Sequence, residues 1–109
     1  MLQTFAALSE PTRLRIFEYL GEQPRSVSEI CDSLSLTQPQ VSKHLRVLRE
    51  SGVVDVEARA QSRIYSVRAE PLRELQLWLD RYRSIWDERL DVLAELAQEI
   101  DHKRKKPRR

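Results

Sequence analysis

The chain has 109 residues, 40% of them hydrophobic and 33% charged, with a formal net charge of +2, two glycines and one cysteine. That length makes one domain around a single modest core. The glycine count excludes Gly-rich phosphate loops, and one thiol excludes an internal disulfide. Together with the absence of a basic region or cleavage site in MLQTFAAL, this leads us to expect a cytoplasmic protein. No apolar run nears membrane-spanning length, so no membrane partner is expected. The small net charge hides an uneven distribution. Residues 1–36 carry three basic and five acidic side chains, residues 37–65 five and three, and residues 66–101 five and nine, while the tail HKRKKPRR adds six basic groups. Local excess, not the total, attracts a polyanion.

In chain order, residues 2–8 form a short helix presenting Leu2, Phe5 and Leu8. LSEPTRLRIFEYL reads as a second helix. Ser9 serves as N-cap and Pro11 sits in the first turn, where its missing N–H costs nothing. Leu14, Phe17 and Leu20 face inward, Arg13 and Arg15 outward, and Gly21 marks the stop. SVSEICDSL is the third helix, capped by Ser26 or Ser28, with Val27, Ile30, Cys31 and Leu34 on one face. After the connection SLT, Thr37 caps a helix over residues 38–50, with Pro39 in its first turn and Gly52 past its end. Two short helices joined by about three residues form a helix-turn-helix.

Beyond Gly52 the period becomes alternating. VVDVEA and RIYSV read as strands of a hairpin around RAQS. From Pro71 to about Ile100 the pattern is helical again. Leu72, Leu75, Leu79, Tyr82, Trp86, Leu93, Leu96 and Ile100 follow a three–four alternation, broken at Arg89 and widened by Trp78, Ile85 and Leu90. So long a helix cannot bury its whole apolar face on so small a domain. Part of that face should meet a second chain, most simply by two-fold self-association. The fold class expected is mainly α with a small β-hairpin. Residues 1–101 form one dimerising domain and residues 102–109 a basic disordered tail.

On the helix 38–50, Val41, Leu45 and Leu48 form the inward stripe. Gln38, Gln40, Ser42, Lys43, Arg46 and Arg49 are left outside, with His44 at the edge. Gln can bond adenine in bidentate fashion, Arg and Lys read guanine, and Ser or His takes a base edge or a phosphate. The major groove admits a helix, and helix-turn-helix proteins place the second helix there. A solvated helix face would carry similar residue types. The capped preceding helix, the short turn and the basic hairpin favour double-stranded DNA.

These residues also carry a family resemblance. LSEPTRLRIFEYL, then SVSEICDSLSLTQPQVSKHLRVLRESGVVDVEARAQSRIYSV, resembles the ArsR family of bacterial winged-helix repressors, and QPQVSKHLRVLRESGVV is the most specific part. The stretch PLRELQLWLDRYRSIWDERLDVLAEL is similar to a subgroup with a long C-terminal helix, so the match covers roughly residues 4–99. The resemblance implies a winged helix-turn-helix homodimer joined through its first and last helices, with Leu2, Phe5, Leu79, Tyr82, Trp86 and Leu93 in the interface. It also implies binding to a partly palindromic operator, usually to repress nearby genes. The positions matching the reading helix are Gln38, Gln40, Ser42, Lys43 and His44, with Thr37 at its cap. Arg59 and Arg63 match the wing, and Lys43, Arg46 and the wing arginines would anchor phosphates.

The chain departs from the family in its metal sites. SEICDSL offers one thiol where many relatives place several, and the last helix has Asp80, Asp87, Glu88 and Asp91 but no histidine. Soft-metal sites need several thiolates, and tetrahedral zinc needs about four ligands. No metal and no cofactor is therefore expected. The wing tip, Ala60-Gln61, lacks the usual glycine. Cys31 reads as a structural thiol, and nothing near His44 supplies a partner for catalysis, so no enzyme is expected. The alternative from another class is a winged-helix protein-interaction module of antirepressor type without DNA binding. The basic tail reads either as a source of non-specific affinity through counterion release or as a solubilising end. The residues name neither an operator nor a small-molecule inducer.

Overall fold

A computed structural model describes residues 1–105, the side chains of Ser84 and Lys105 excepted. The chain divides into two compact units, Met1–Leu75 and the stretch from Gln76 onward. The first unit holds α1 (Leu2–Leu8), α2 (Pro11–Glu22), β1 (Arg25–Ser26), α3 (Val27–Leu34), α4 (Gln38–Glu50), β2 (Val54–Arg59) and β3 (Ser62–Val67). The last helix, α5 (Ala69–Lys105), starts in this unit and makes up the described part of the second.

The core of the first unit is drawn from every helix but α5. Ala7, Ile16, Leu20, Ile30, Val41, Leu45, Leu48, Val53 and Val54 are 0–2% exposed. The α2 stripe differs in phase from the sequence reading. Ile16 and Leu20 are buried, while Leu14 is 38% exposed and Phe17 only partly covered. The α2 start also differs. Ser9 closes α1, its hydroxyl donating to Ala6 O at 2.8 Å, and Glu10 caps α2 by accepting the Arg13 N–H at 2.8 Å. Pro at N1 puts the residue before it in the cap position, and a carboxylate there satisfies an amide that would otherwise lack a partner. Gly21 lies inside α2, not beyond it, and the helix runs on through Glu22. Arg13 is half-buried rather than turned fully outward: its Nε donates to Ala7 O at 2.7 Å and holds α1 to α2.

α3 opens with a capping box in which Ser26 Oγ accepts the Glu29 N–H and Glu29 accepts the Ser26 N–H. Ser35 takes the left-handed conformation at φ 56°, and Leu36 N–H donates to Cys31 O, which closes the three-residue turn into α4. At the far end of α4, Gly52 has φ 78° and Val53 N–H returns to Leu48 O, the left-handed C-terminal closure that glycine favours.

The sheet is antiparallel in the order β1-β3-β2. Val56 pairs with Tyr65 and Arg59 with Ser62 across the hairpin, and β1 adds Arg25 against Tyr65. The sequence pattern did not reveal β1, a two-residue strand. The hairpin loop is Ala60-Gln61, with Ala60 at φ 52°, so an alanine holds the left-handed position that usually calls for glycine.

α5 is continuous through Lys105, so residues 102–105 of the basic tail are helical rather than disordered. Residues 106–109 of that tail lie outside the described residues. Within the second unit the rings of Trp78 and Tyr82 stack in a tilted pair, centroids 5.5 Å apart.

Candidate nucleic-acid interface

The geometry of α4 follows from how its ends are fixed. Thr37 is its N-cap, with Pro39 in the first turn. Thr37 Oγ1 accepts the Gln40 N–H at 3.4 Å, while Gln40 Oε1 accepts both the Thr37 N–H at 2.9 Å and the Thr37 hydroxyl at 3.1 Å. This reciprocal box orients the first turn, where two otherwise orphaned amides are satisfied. With Val41, Leu45 and Leu48 sealed into the core, the opposite face is set outward.

Gln38, Ser42 and Lys43 are exposed on that face, and none of their side chains makes a hydrogen bond or ion pair among the described residues. Arg46 is exposed and pairs with Glu50 at 3.0 Å on the same helix. An exposed pair of this kind holds little energy and leaves the guanidinium available to a stronger anion. Gln40 is exposed too, but its carbonyl oxygen is committed to the cap, so only its amide N–H groups can reach outward. His44 is placed differently from the rest. It is largely covered, and Nδ1 stands 3.6 Å from Glu10 Oε2.

The hairpin brings more cations to α4. Ser42, Arg46, Arg49 and Glu50 of α4, with Arg63 and Tyr65 of β3, line an open groove of about 580 Å³. Three guanidinium groups thus meet from two elements. Arg49 and Arg63 have no ion-pair partner among the described residues, whereas Arg59, nearer the tip, lies 3.5 Å from Glu57. Sequence reasoning left Arg49 out of the candidate contacts. The signal was present, since Ser42, Arg46 and Arg49 stand at i, i+4 and i+7 on one stripe. A smaller groove of about 300 Å³ lies where the wing tip residues Gln61 and Ser62 approach Ser28 and Gln38. Cys31 shares another groove of about 300 Å³ with Val27, Ser28, Asp32 and Gln38.

Two carboxyl groups are held below their ordinary range. Glu10 is lowered by the Arg13 backbone N–H it accepts, and Glu29 by that of Ser26. Both are capping groups at helix starts. Among the described residues no group of three or more His, Cys, Asp or Glu could hold a metal ion, and no helix is long and apolar enough to cross a membrane.

The residues expected to join two copies are all uncovered in the described chain. Leu2 is 80% exposed, Phe5 44%, Leu79 57%, Tyr82 41%, Trp86 50% and Leu93 60%. Large apolar side chains left bare in such number, on α1 and separately on α5, are unusual on a protein that stays alone in water.

Comparison with known proteins agrees with this geometry. A family model described as a helix-turn-helix domain matches residues 8–57. The HTH-type transcriptional regulator Rv2034 of Mycobacterium tuberculosis is 32% identical over 94 residues, covering 86% of this chain and 85% of its own. The HTH-type transcriptional repressor SmtB of the same organism is 37% identical over 71 residues, covering 65% of this chain. The chain spans 53% of SmtB's length and 63% of that of a further mycobacterial regulator. Among solved structures, an ArsR-like transcriptional regulator from Rhodococcus sp. RHA1 superimposes with a TM-score of 0.70 at 29% identity, covering 88% of this chain and 91% of that one.

Proposed function

We propose, from the premise that the chain belongs to the ArsR family of winged helix-turn-helix transcriptional regulators, that it binds double-stranded DNA as a homodimer and represses transcription from a near-palindromic operator. The observation that carries this reading is the outer face of α4. Gln38, Ser42 and Lys43 are exposed and uncommitted there, beside a groove in which Arg49 and Arg63 have no internal partner. Cations kept unpaired at the mouth of a groove suit a polyanion better than they suit water alone.

In this reading α4 enters the major groove with its N-terminal residues nearest the bases. Gln38 and Ser42 read base edges, and Gln40 contributes through its amide N–H groups. Lys43, Arg46, Arg49 and Arg63 hold backbone phosphates, which fix register without reading sequence. The exposed apolar side chains of α1 and those of α5 each contribute to pairing two copies, and their reading helices then meet successive grooves about 34–36 Å apart. Repression is favoured by the name of SmtB and cytoplasmic residence by the activity itself.

A binding titration on duplexes selected by the chain from a randomised pool tests this. The logarithm of the affinity should fall linearly with the logarithm of salt concentration, and the selected site should show two-fold symmetry. A chain that enriches no duplex, or whose binding ignores salt, would leave the protein-interaction module as the better reading.

A further inference from the structure

The imidazole of His44 stands on α4 next to the residues assigned to base reading, yet its surroundings direct it inward. Only 17% of the side chain is exposed. Nδ1 is buried without a hydrogen bond and faces Glu10 Oε2 at 3.6 Å. That same oxygen accepts the Arg13 N–H at 2.8 Å as the cap of α2. The Arg13 guanidinium reaches the other way, donating from Nε to Ala7 O at 2.7 Å and from one Nη to Ala6 O at 3.4 Å. It therefore closes the C-terminal end of α1, whose first turns carry the exposed Leu2 and Phe5. One carboxylate and one guanidinium link three helices, from the α1 surface to the reading helix.

We infer that His44 is a positioning residue and not a base reader: through Glu10 and Arg13 it ties α4 to α1, so that the seating of α1 sets the seating of the reading helix. The inference deepens the proposed function and rests on it, because α1 carries part of the self-association face. A purely apolar contact between α1 and α4 would let the reading helix slide. The shared Glu10 oxygen fixes it from one side by a hydrogen bond at the cap of α2 and from the other by the imidazole. Coupling of this kind travels through contiguous polar contacts with defined partners, here the approach of His44 to Glu10, the Glu10 cap on the Arg13 backbone and the Arg13 guanidinium on the end of α1.

Glu10→Gln and His44→Gln test it, since both keep side-chain length and leave the buried stripe of α4 untouched. In the free chain, the imidazole nitrogen resonances of His44 should shift in Glu10→Gln. On duplexes selected by the unaltered chain, each variant should lose between about threefold and thirtyfold in affinity. The double variant should lose no more than the larger single loss, as expected for two members of one joint. Base preference at every position of the selected site should be unchanged in all three. A preference altered at one base pair by His44→Gln would make His44 a reader and overturn the inference. So would additive losses, or imidazole resonances indifferent to Glu10→Gln. If the chain selects no duplex, the DNA-binding reading fails separately, and the imidazole spectrum still decides whether the joint exists.

Discussion

α4 and α5 are both amphipathic helices, and they differ in which face is left without a partner. In α4, Val41, Leu45 and Leu48 are 0–1% exposed, so the apolar stripe is satisfied within the first unit and the polar face is what the helix presents. In α5, Leu79, Trp86 and Leu93 are 50–60% exposed, so the apolar stripe itself is presented. Burying apolar area is worth about 25 cal/mol per Å², and a row of large side chains left in water forgoes that repeatedly. The difference shows how one chain divides two tasks. A helix whose apolar side is covered can offer chemistry to a polar ligand, and a helix whose apolar side is bare can offer surface to another apolar face.

The largest expected effect separates these roles directly. Leu45→Ala should cost the first unit about 2–5 kcal/mol in chemical denaturation, because it opens a cavity in a sealed core. Leu93→Ala should leave that unit's folding intact and instead raise the self-association Kd by about thirtyfold, read by sedimentation over a concentration series. A core-sized loss of stability that is independent of concentration in Leu93→Ala would erase the contrast. Next in size, Arg49→Ala and Arg63→Ala should each weaken binding to selected and random duplexes alike and reduce the salt slope by about 1. If only the selected duplex suffers, these side chains read bases, and the division between α4 face and groove is drawn in the wrong place. Smaller again, Thr37→Ala should cost about 1 kcal/mol of stability through loss of the α4 cap. Ala60→Gly should raise stability by about 1 kcal/mol by relieving the left-handed alanine at the wing tip, and a loss there would mean that the alanine is not strained.

The smallest effect concerns acid. The folded-state pKa values of Glu10 and Glu29 lie below the ordinary 4.5, so the stability they supply is complete above that value and is lost as pH falls through the lowered ones. Glu10→Gln and Glu29→Gln should therefore be slightly less stable than the unaltered chain at neutral pH and converge with it in acid, which blunts the acid side of the stability profile. An acid limb identical to that of the unaltered chain would remove both caps from the account.

What could be read from the residues differs by region for physical reasons. The bounds of α4, residues 38–50, were legible because cap, proline, apolar period and terminal glycine agree there. α2 was misread at both ends. Proline at N1 shifts the cap to Glu10, and Gly21, with nothing near its missing Cβ, is exposed enough to stay helical at a cost of about 1 kcal/mol relative to alanine. β1 has no pattern of its own, because two residues become a strand only when β3 supplies the partner. For the candidate site, residue types on one helix pointed to a polar ligand, but not to which side chains are already engaged. The commitment of Gln40 to its cap and the approach of His44 to Glu10 are events between elements, as is the meeting of Arg49 with Arg63. A helical projection shows a face; it does not show what another helix has placed against its rim.

Cys31, the single thiol of the chain, opens onto a groove that also contains Gln38, the first residue of the reading helix. A fluorine-bearing or fluorescent tag attached there would need no other cysteine removed. It would sit beside the first turn of α4 without occupying the outward stripe of Ser42, Arg46 and Arg49, and so would give a built-in optical or magnetic gauge of when that turn meets a ligand.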